Sequence, residues 1–254
     1  MTHSVTPQRQ VDDESDLLVL LHPLGVDRHF WDAHRPYFAD WQVVAPDLPG
    51  HGSSQVVLDE PTLEALTEAV LDEIRPGIKR MSLAGVSIGG MVAQQIAIDR
   101  PRSVDRVILI DTVAHYPPPW DDMWRSRAEA MRQQGPESLV EATMATWFTE
   151  QSLTANSEPV RYARRALSAT NPDSYARACE VLADADTRPA LHTIAAPTLV
   201  LCGNQEPPLF TEGAHELSEA IAEAELDWIH GKHAAALERP AETSQRMRAF
   251  LQHA

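Results

Sequence analysis

The sequence lacks any apolar run long enough to cross a membrane. A spanning helix needs about 20 consecutive apolar residues, and no segment of the 254-residue chain approaches that length. The N-terminal stretch 1–16 is polar and lacks the apolar segment of a secretory signal peptide. We therefore expect a cytoplasmic protein that has no membrane partner.

Positive charge is also scarce. The chain has 21 Lys and Arg against 37 Asp and Glu, and its formal net charge is −16. Proteins that bind nucleic acids need a basic face to neutralise phosphates, so a nucleic-acid partner is not expected. An acidic carrier protein is disfavoured for the same reason. The remaining class of partner is a small-molecule substrate, bound by a monomer or a homodimer.

Only two cysteines are present, Cys179 and Cys202. They lie far apart in the sequence and match none of the spacings that hold a metal ion. Free Cys behaves as a small buried hydrophobic residue, and disulfides are rare in a reducing cytoplasm. We predict two buried free thiols, without a disulfide and without a metal site.

Short apolar runs alternate with amphipathic helical patterns over much of the chain. Continuous apolar runs of strand length are typical of strands buried on both faces. Their alternation with helices predicts an α/β fold with a mostly parallel, doubly wound sheet. The predicted strands are 17–21, 42–45, 81–84, 107–110, 197–202 and 226–229. The predicted helices are 30–38, 62–74, 90–98, 214–222 and 241–251.

The middle of the chain has a different character. Between residues 112 and 192 there is no strand signal, and three consecutive prolines, Pro117 to Pro119, break the chain. Helical patterns follow at 124–133, 136–147, 158–169 and 172–183. We predict a helical cap over 112–192, inserted into an α/β core formed by 16–111 and 193–254, after a flexible tail over 1–15.

One stretch has the spacing of a catalytic motif. Gly85-Val86-Ser87-Ile88-Gly89 has the pattern G-x-S-x-G, with an apolar strand before it and a helical run after it. In the nucleophile elbow this pattern exposes a serine on a strained strand-to-helix turn, where only small neighbours fit. About one chain in ten of this length would contain the pattern by chance. The strand before and the helix after favour Ser87 as a nucleophile.

A serine nucleophile needs a histidine base and a carboxylate that orients the histidine. His233 follows the last predicted strand in a Gly-containing loop, and it lies after Ser87 in the order expected for this elbow. His22 and His51 are alternatives, which we interpret as structural residues that tie loops together.

Two carboxylates compete for the third position. Glu206 follows the predicted strand 197–202, and Asp111 follows the strand before it. Neighbouring strand ends lie about 5 Å apart, so either could reach the histidine. We favour Glu206 and keep Asp111 as the alternative. The oxyanion hole is assigned to the backbone N–H groups of Leu24 and Ile88.

These motifs resemble the α/β-hydrolase superfamily and, within it, the 3-oxoadipate enol-lactonase and small esterase group. The matching stretches are 20–31, 45–54, 85–89, 197–203 and 231–240, with cap segments 123–124, 147–149 and 184–186. Glu206 stands where such hydrolases usually have Asp. The resemblance implies hydrolysis of an ester or lactone through an acyl-enzyme on Ser87, no metal or organic cofactor, and a shortened N-terminal hairpin.

Other functions fit the same motifs. A cofactor-free oxygenase, a carbon–carbon hydrolase or a lyase would use His233 as the base without attack by Ser87. A ligand receptor on a hydrolase scaffold would need no catalysis. The predicted pocket residues in the cap are Trp120, Trp124, Trp147 and Phe148. Cap arginines that could bind a substrate carboxylate, although most are expected on a solvated face, are Arg125, Arg127, Arg161, Arg164 and Arg165.

Overall fold

The computed structural model describes residues 17–74 and 80–252. Within these ranges the chain forms a sheet of six strands, all of them parallel to their neighbours. The strands are β1 (Leu17–Leu21), β2 (Gln42–Val44), β3 (Met81–Val86), β4 (Val104–Ile110), β5 (Thr198–Gly203) and β6 (Ala224–Ile229).

The strand order is β2-β1-β3-β4-β5-β6. All residues of the central strands β1 and β3 are buried, whereas β2 and β6 at the two edges are partly exposed. Strands that are covered on both faces read as continuous apolar runs, because neither face meets water. The structure confirms the predicted parallel α/β sheet.

Ten helices accompany the sheet in the described residues, and none of them is long and apolar enough to span a bilayer. They are α1 (Leu63–Glu73), α2 (Ile88–Asp99), α3 (Trp120–Gln134), α4 (Glu137–Trp147), α5 (Glu150–Ala155), α6 (Glu158–Ala169), α7 (Pro172–Asp184), α8 (Pro208–Ala220), α9 (Ala235–Glu238) and α10 (Pro240–Gln252).

Helices α3 to α7 lie between β4 and β5 and form the helical insertion predicted for this part of the chain. The insertion is tied to the loop that follows β6. The Ala234 N–H donates to the Trp147 carbonyl at 2.9 Å, and the Lys232 ammonium donates to the Ala145 carbonyl at 3.0 Å. The C-terminal end of α4 is therefore held beside His233.

The segment 30–38 differs from its prediction. Instead of one α-helix it forms two short 3₁₀ helices, Arg28–Trp31 and Arg35–Phe38. Pro36 lies at the start of the second one. A proline inside an α-helix lacks the N–H donor and clashes with the carbonyl four residues earlier, so the turns separate.

Other boundaries also differ. Helix α5 was not predicted; it is short, and its N-cap Thr149 accepts a hydrogen bond from the Ser152 N–H. Helix α8 begins at Pro208 rather than at residue 214, because Pro is favourable at the first helical positions. The predicted tail over 1–15 and the shortened hairpin fall in a stretch that lies outside the described residues.

The junction of β3 and α2 is packed backbone against backbone. A Cβ atom on Gly85 would lie 2.1 Å from the carbonyl oxygen of Gly89, and a Cβ on Gly89 would lie 2.5 Å from the carbonyl oxygen of Leu21. Both distances are far below van der Waals contact. Only glycine allows α2 to start this close to β1 and β3.

Replacing Gly89 with Ala should lower the free energy of unfolding by about 3 kcal/mol, because the added methyl group must push main-chain atoms apart. Urea denaturation measures the loss. Gly135→Ala is the control: Gly135, unlike Gly89, has a positive φ, 75°, and a Cβ there meets no atom within 4 Å. Its expected loss is about 1 kcal/mol, from the backbone conformation alone. Equal losses in the two variants would contradict the packing argument.

Candidate active site

Four polar side chains follow four neighbouring parallel strands. Ser87 follows β3, Asp111 follows β4, Glu206 follows β5, and His233 follows β6. Parallel strands end at the same edge of a sheet, and neighbours are about 4.8 Å apart. The fold therefore collects at one edge residues that are widely separated in the sequence, as in other open α/β sheets.

Ser87 has a strained backbone. Its φ is 55° and its ψ is −119°, a region that residues with a side chain rarely occupy. The Ser87 N–H donates to the Ile110 carbonyl at 3.0 Å, and the Ser87 carbonyl accepts from the Thr112 hydroxyl at 2.7 Å. Such strain costs about 1–3 kcal/mol and persists only where the surroundings enforce it. These bonds fix the serine at the turn.

His233 and Glu206 form a buried pair. The Nδ1 atom of His233 lies 2.6 Å from Oε1 of Glu206, and the two side chains are 7% and 0% exposed. Burial alone would lower the pKa of His233, but the charge of Glu206 and its hydrogen bond outweigh burial and leave that pKa raised. The pair therefore holds Nδ1 as the donor to Glu206 and leaves Nε2 for other partners.

Asp111 has a different partner. Its Oδ1 atom accepts a hydrogen bond from the Gly203 N–H at 2.7 Å, while Oδ2 is buried without a partner among the described residues. Burial and the nearby charge of Glu206 raise the pKa of Asp111 well above its usual value. The structure thus joins Glu206 to His233, whereas Asp111 holds the start of the Glu206 loop through the Gly203 N–H.

Leu24 and Ile88, the predicted oxyanion donors, lie in neighbouring segments. Ile88 is the first residue of α2, where a backbone N–H has no acceptor inside the helix. Leu24 lies in the loop after β1, which His22 braces. Nε2 of His22 accepts from the Leu48 N–H at 2.9 Å, and burial lowers the pKa of His22 to about 4. A neutral His22 therefore connects two loops.

His51 is also buried beside this connection. Its ring centroid is 5.4 Å from that of His22, and its Nδ1 lies 3.0 Å from the Pro49 carbonyl oxygen. Burial lowers the pKa of His51 to about 4. The structure places neither ring against a carboxylate, in agreement with the structural role inferred for both.

Two aromatic residues at the site were missed by sequence reasoning. The Phe210 ring is 4.7 Å from that of His233 and 6.3 Å from that of Tyr116, measured between centroids. The hydroxyl of Tyr116 interacts with that of Ser87. Neither residue belongs to a motif. The available signal was their position: Tyr116 lies in the loop after β4, and Phe210 lies in the first turn of α8, the helix that follows β5.

Two of the predicted pocket residues lie beside this group. The Trp147 ring is 5.7 Å from the His233 ring, and the Trp124 ring is 5.3 Å from the Tyr116 ring. The indole N–H of Trp124 is buried without a partner among the described residues. The other two predicted pocket residues are Phe148, which is fully buried, and Trp120, which is half-buried against the core.

The five cap arginines named above all have partners. Arg127 donates to the Tyr175 hydroxyl at 2.8 Å, and its guanidinium lies 5.9 Å from the centre of the Trp124 ring. The partners of the other four are carboxylates or a backbone carbonyl: Asp184 for Arg125, Asn156 for Arg161, Glu141 for Arg164, and Glu158 for Arg165. The guanidinium groups of these four arginines are therefore paired with other groups of the chain.

The cysteines are free and buried, as predicted. Burial raises the pKa of Cys179 to about 12, so this thiol stays protonated. Cys202 lies beside Asp111, and burial raises its pKa as well. Across 17–74 and 80–252, no group of three or more His, Cys, Asp and Glu side chains is arranged to hold a metal ion.

Comparisons with known proteins agree with this geometry. A family model described as "Alpha/beta hydrolase family" matches residues 18–246. The chain is similar to 3-oxoadipate enol-lactonase 2 of Acinetobacter baylyi, with 30% identity over 88% of this chain and 84% of the relative. It is also similar to a pimeloyl-[acyl-carrier protein] methyl ester esterase of Aromatoleum aromaticum, with 29% identity over 82% and 87% of the two chains.

A solved structure shows the same likeness in three dimensions. The crystal structure of the enol-lactonase from Burkholderia xenovorans LB400 superposes with a TM-score of 0.89. The two sequences are 28% identical, and the match covers 97% of this chain and 94% of that one.

Replacing Glu206 with Gln should lower the pKa of His233, because it removes the charge that favours the imidazolium. Asp111→Asn is the matched control and should lower that pKa less, because Asp111 is not hydrogen-bonded to His233 and its charge affects that pKa less than Glu206 does. An NMR titration of the His233 imidazole measures both shifts. A larger decrease in the Asp111 variant would show that Asp111 is the electrostatic partner instead.

Proposed function

The chain belongs to the alpha/beta hydrolase family, and from this premise we propose that it is a serine hydrolase that cleaves a carboxylic ester or lactone of a small molecule. One observation carries the proposal: the buried 2.6 Å pair of His233 and Glu206 lies at the same sheet edge as the strained Ser87. The relatives named as an enol-lactonase and a methyl ester esterase support ester-type bonds as the target.

In this reaction His233 is the general base. A serine hydroxyl is a weak nucleophile on its own and needs a base to take its proton as it attacks. Nε2 of His233 accepts the proton from Ser87 Oγ while Oγ bonds to the carbonyl carbon. Glu206 keeps Nδ1 protonated, orients the ring and stabilises the imidazolium. The raised pKa of His233 has the direction this role requires.

The backbone amides of Leu24 and Ile88 stabilise the oxyanion. Charge develops on the carbonyl oxygen during the attack, and preorganised N–H donors contribute about 3 kcal/mol each to the transition state. His233 then returns its proton to the leaving oxygen, and the acyl group remains on Ser87. In the second half, water attacks with His233 as the base and releases the acid. Every proton transfer uses groups of the chain and water.

Ser87→Ala should reduce kcat/KM for the best ester or lactone by about 10³-fold or more, because the covalent route is lost. A panel of p-nitrophenyl esters and lactones provides the substrates. A fluorophosphonate should label the wild type once, at Ser87, and mass spectrometry locates the adduct. Glu206→Gln should be labelled more slowly, and Asp111→Asn at close to the wild-type rate.

Two other results would overturn the proposal. If Ser87→Ala retained nearly full turnover while His233→Ala lost it, His233 would act directly on the substrate, as in an oxygenase, a carbon–carbon hydrolase or a lyase. If the protein bound small molecules with neither labelling at Ser87 nor turnover, it would be a receptor on a hydrolase scaffold.

The pH dependence follows from the raised pKa of His233. The base must be neutral, so kcat/KM should rise with pH through that pKa. Because the pKa is raised from its ordinary value of 6.5, the rise should be centred above pH 6.5. In Glu206→Gln the rise should move to lower pH while the plateau falls. A profile centred below 6.5 in the wild type would contradict the role of Glu206.

A further inference from the structure

We propose that Tyr116 is a further catalytic residue, whose phenol O–H donates a hydrogen bond to the leaving oxygen of an alkyl ester or lactone as that oxygen departs from the acyl carbon. The inference rests on the proposed ester hydrolysis and deepens it. The proposed role of Tyr116 implies that the substrates are esters or lactones whose leaving oxygen is strongly basic.

Tyr116 lies at the reacting atoms. Its hydroxyl interacts with that of Ser87, and the residue is only 5% exposed. Two rings meet the tyrosine edge-on: Trp124 at 5.3 Å and 79°, and Phe210 at 6.3 Å and 78°. Aromatic pairs prefer this arrangement. The phenol is therefore held in one place from two sides.

The order of the strands puts Tyr116 on the leaving-group side of Ser87. Strand β1 lies on one side of β3, and β4, β5 and β6 lie on the other. Leu24, the oxyanion donor, follows β1, whereas Tyr116 follows β4 and His233 follows β6. Phe210 packs against the rings of both Tyr116 and His233. Tyr116 thus shares the side from which His233 returns its proton.

The phenol stays protonated and is a donor. Burial raises the pKa of Tyr116, and the charge of Glu206 raises it further, while the contact with Ser87 opposes them only in part. A neutral phenol can donate one hydrogen bond to an oxygen that gains negative charge. Such bonds are stronger than those between neutral groups.

The step balances without an additional reactant. Ser87 Oγ forms a bond to the acyl carbon, its proton moves to His233 Nε2, and the carbonyl electron pair moves onto the oxyanion. Oγ is now bonded to the acyl carbon of the tetrahedral intermediate and is a poorer acceptor, which frees the Tyr116 O–H. When the oxyanion pair re-forms the carbonyl, the bond between the acyl carbon and the leaving oxygen breaks. That oxygen keeps the electron pair and takes the proton from His233, and Tyr116 retains its own proton.

This role predicts a dependence on the leaving group. A departing alkoxide or lactone oxygen is strongly basic and gains much from a donor. A p-nitrophenolate is weakly basic and leaves without help. The test compares the methyl and p-nitrophenyl esters of one acyl chain, by kcat/KM, which reports the acylation half of the reaction for both.

Tyr116→Phe should lower kcat/KM for the methyl ester about 10- to 100-fold, and for the p-nitrophenyl ester by less than about threefold. Tyr116→His, which keeps a ring donor, should recover part of the methyl ester activity. Tyr162→Phe is the matched control: it removes a cap hydroxyl that bonds to Asp27 at 2.8 Å. In Tyr162→Phe the ratio of kcat/KM for the methyl ester to kcat/KM for the p-nitrophenyl ester should equal that of the wild type. Thermal unfolding of each variant verifies that it is folded.

The outcomes separate the two proposals. If the wild type cleaves esters and Tyr116→Phe slows both substrates equally, or neither, Tyr116 is not a leaving-group donor, and the serine hydrolase proposal stands. If Tyr116→Phe is unfolded, Tyr116→Leu, which also lacks a donor, takes its place, and a wild-type ratio in folded Tyr116→Leu leads to the same conclusion. If the wild type cleaves neither ester and is not labelled at Ser87, the proposed function fails, and the role of Tyr116 fails with it.

Discussion

The site depends on how closely the backbone of α2 approaches β1 and β3. Gly85 and Gly89 leave no room for a Cβ, since each would place it within 2.5 Å of a carbonyl oxygen. This close approach forces the chain to turn at once, and Ser87 takes the strain with a φ of 55°. The same turn makes Ile88 the first residue of α2, where its N–H has no acceptor inside the helix. The proposed nucleophile and the proposed oxyanion donor therefore depend on one packing constraint.

Electrostatics then separates two carboxyl groups that the fold places on adjacent strand ends. Glu206 is hydrogen-bonded to the His233 imidazole at 2.6 Å, and its charge favours the protonated form of that ring. Asp111 is buried, its partners are the Gly203 N–H and the Cys202 thiol, and it lies near the charge of Glu206, so burial and that charge favour its neutral form. Two buried carboxylates beside a single imidazole cannot both be ionised at low cost. Glu206 is the one that pairs with the imidazole of His233, and Asp111 holds the backbone of Gly203.

The cap completes the site from above. The Trp147 carbonyl is bonded to the Ala234 N–H, which fixes α4 to the loop of His233. Trp147, Phe210 and Tyr116 enclose the histidine and the serine with aromatic rings, and Ser87 and His233 are 4% and 6% exposed. A site that excludes water strengthens each hydrogen bond made there. The Tyr116 hydroxyl, which contacts Ser87, is one of the polar groups inside this enclosure.

The sequence by itself determined the parallel sheet, the helical insertion, the elbow and the position of His233 after the last strand. These features depend on local patterns: apolar runs, helical spacing, small residues around Ser87, and the order of loops along the chain. The two 3₁₀ turns in 28–38 and helix α5 were not predicted from the sequence, because each has too few residues to give a periodic pattern. Only the tertiary structure decided which of Glu206 and Asp111 pairs with His233, and that Tyr116 and Phe210 lie beside Ser87 and His233. Asp111, Tyr116 and Glu206 lie in loops after strands and Phe210 lies in the first turn of α8, and only the packing of these segments sets which side chain meets the imidazole and which meets the serine.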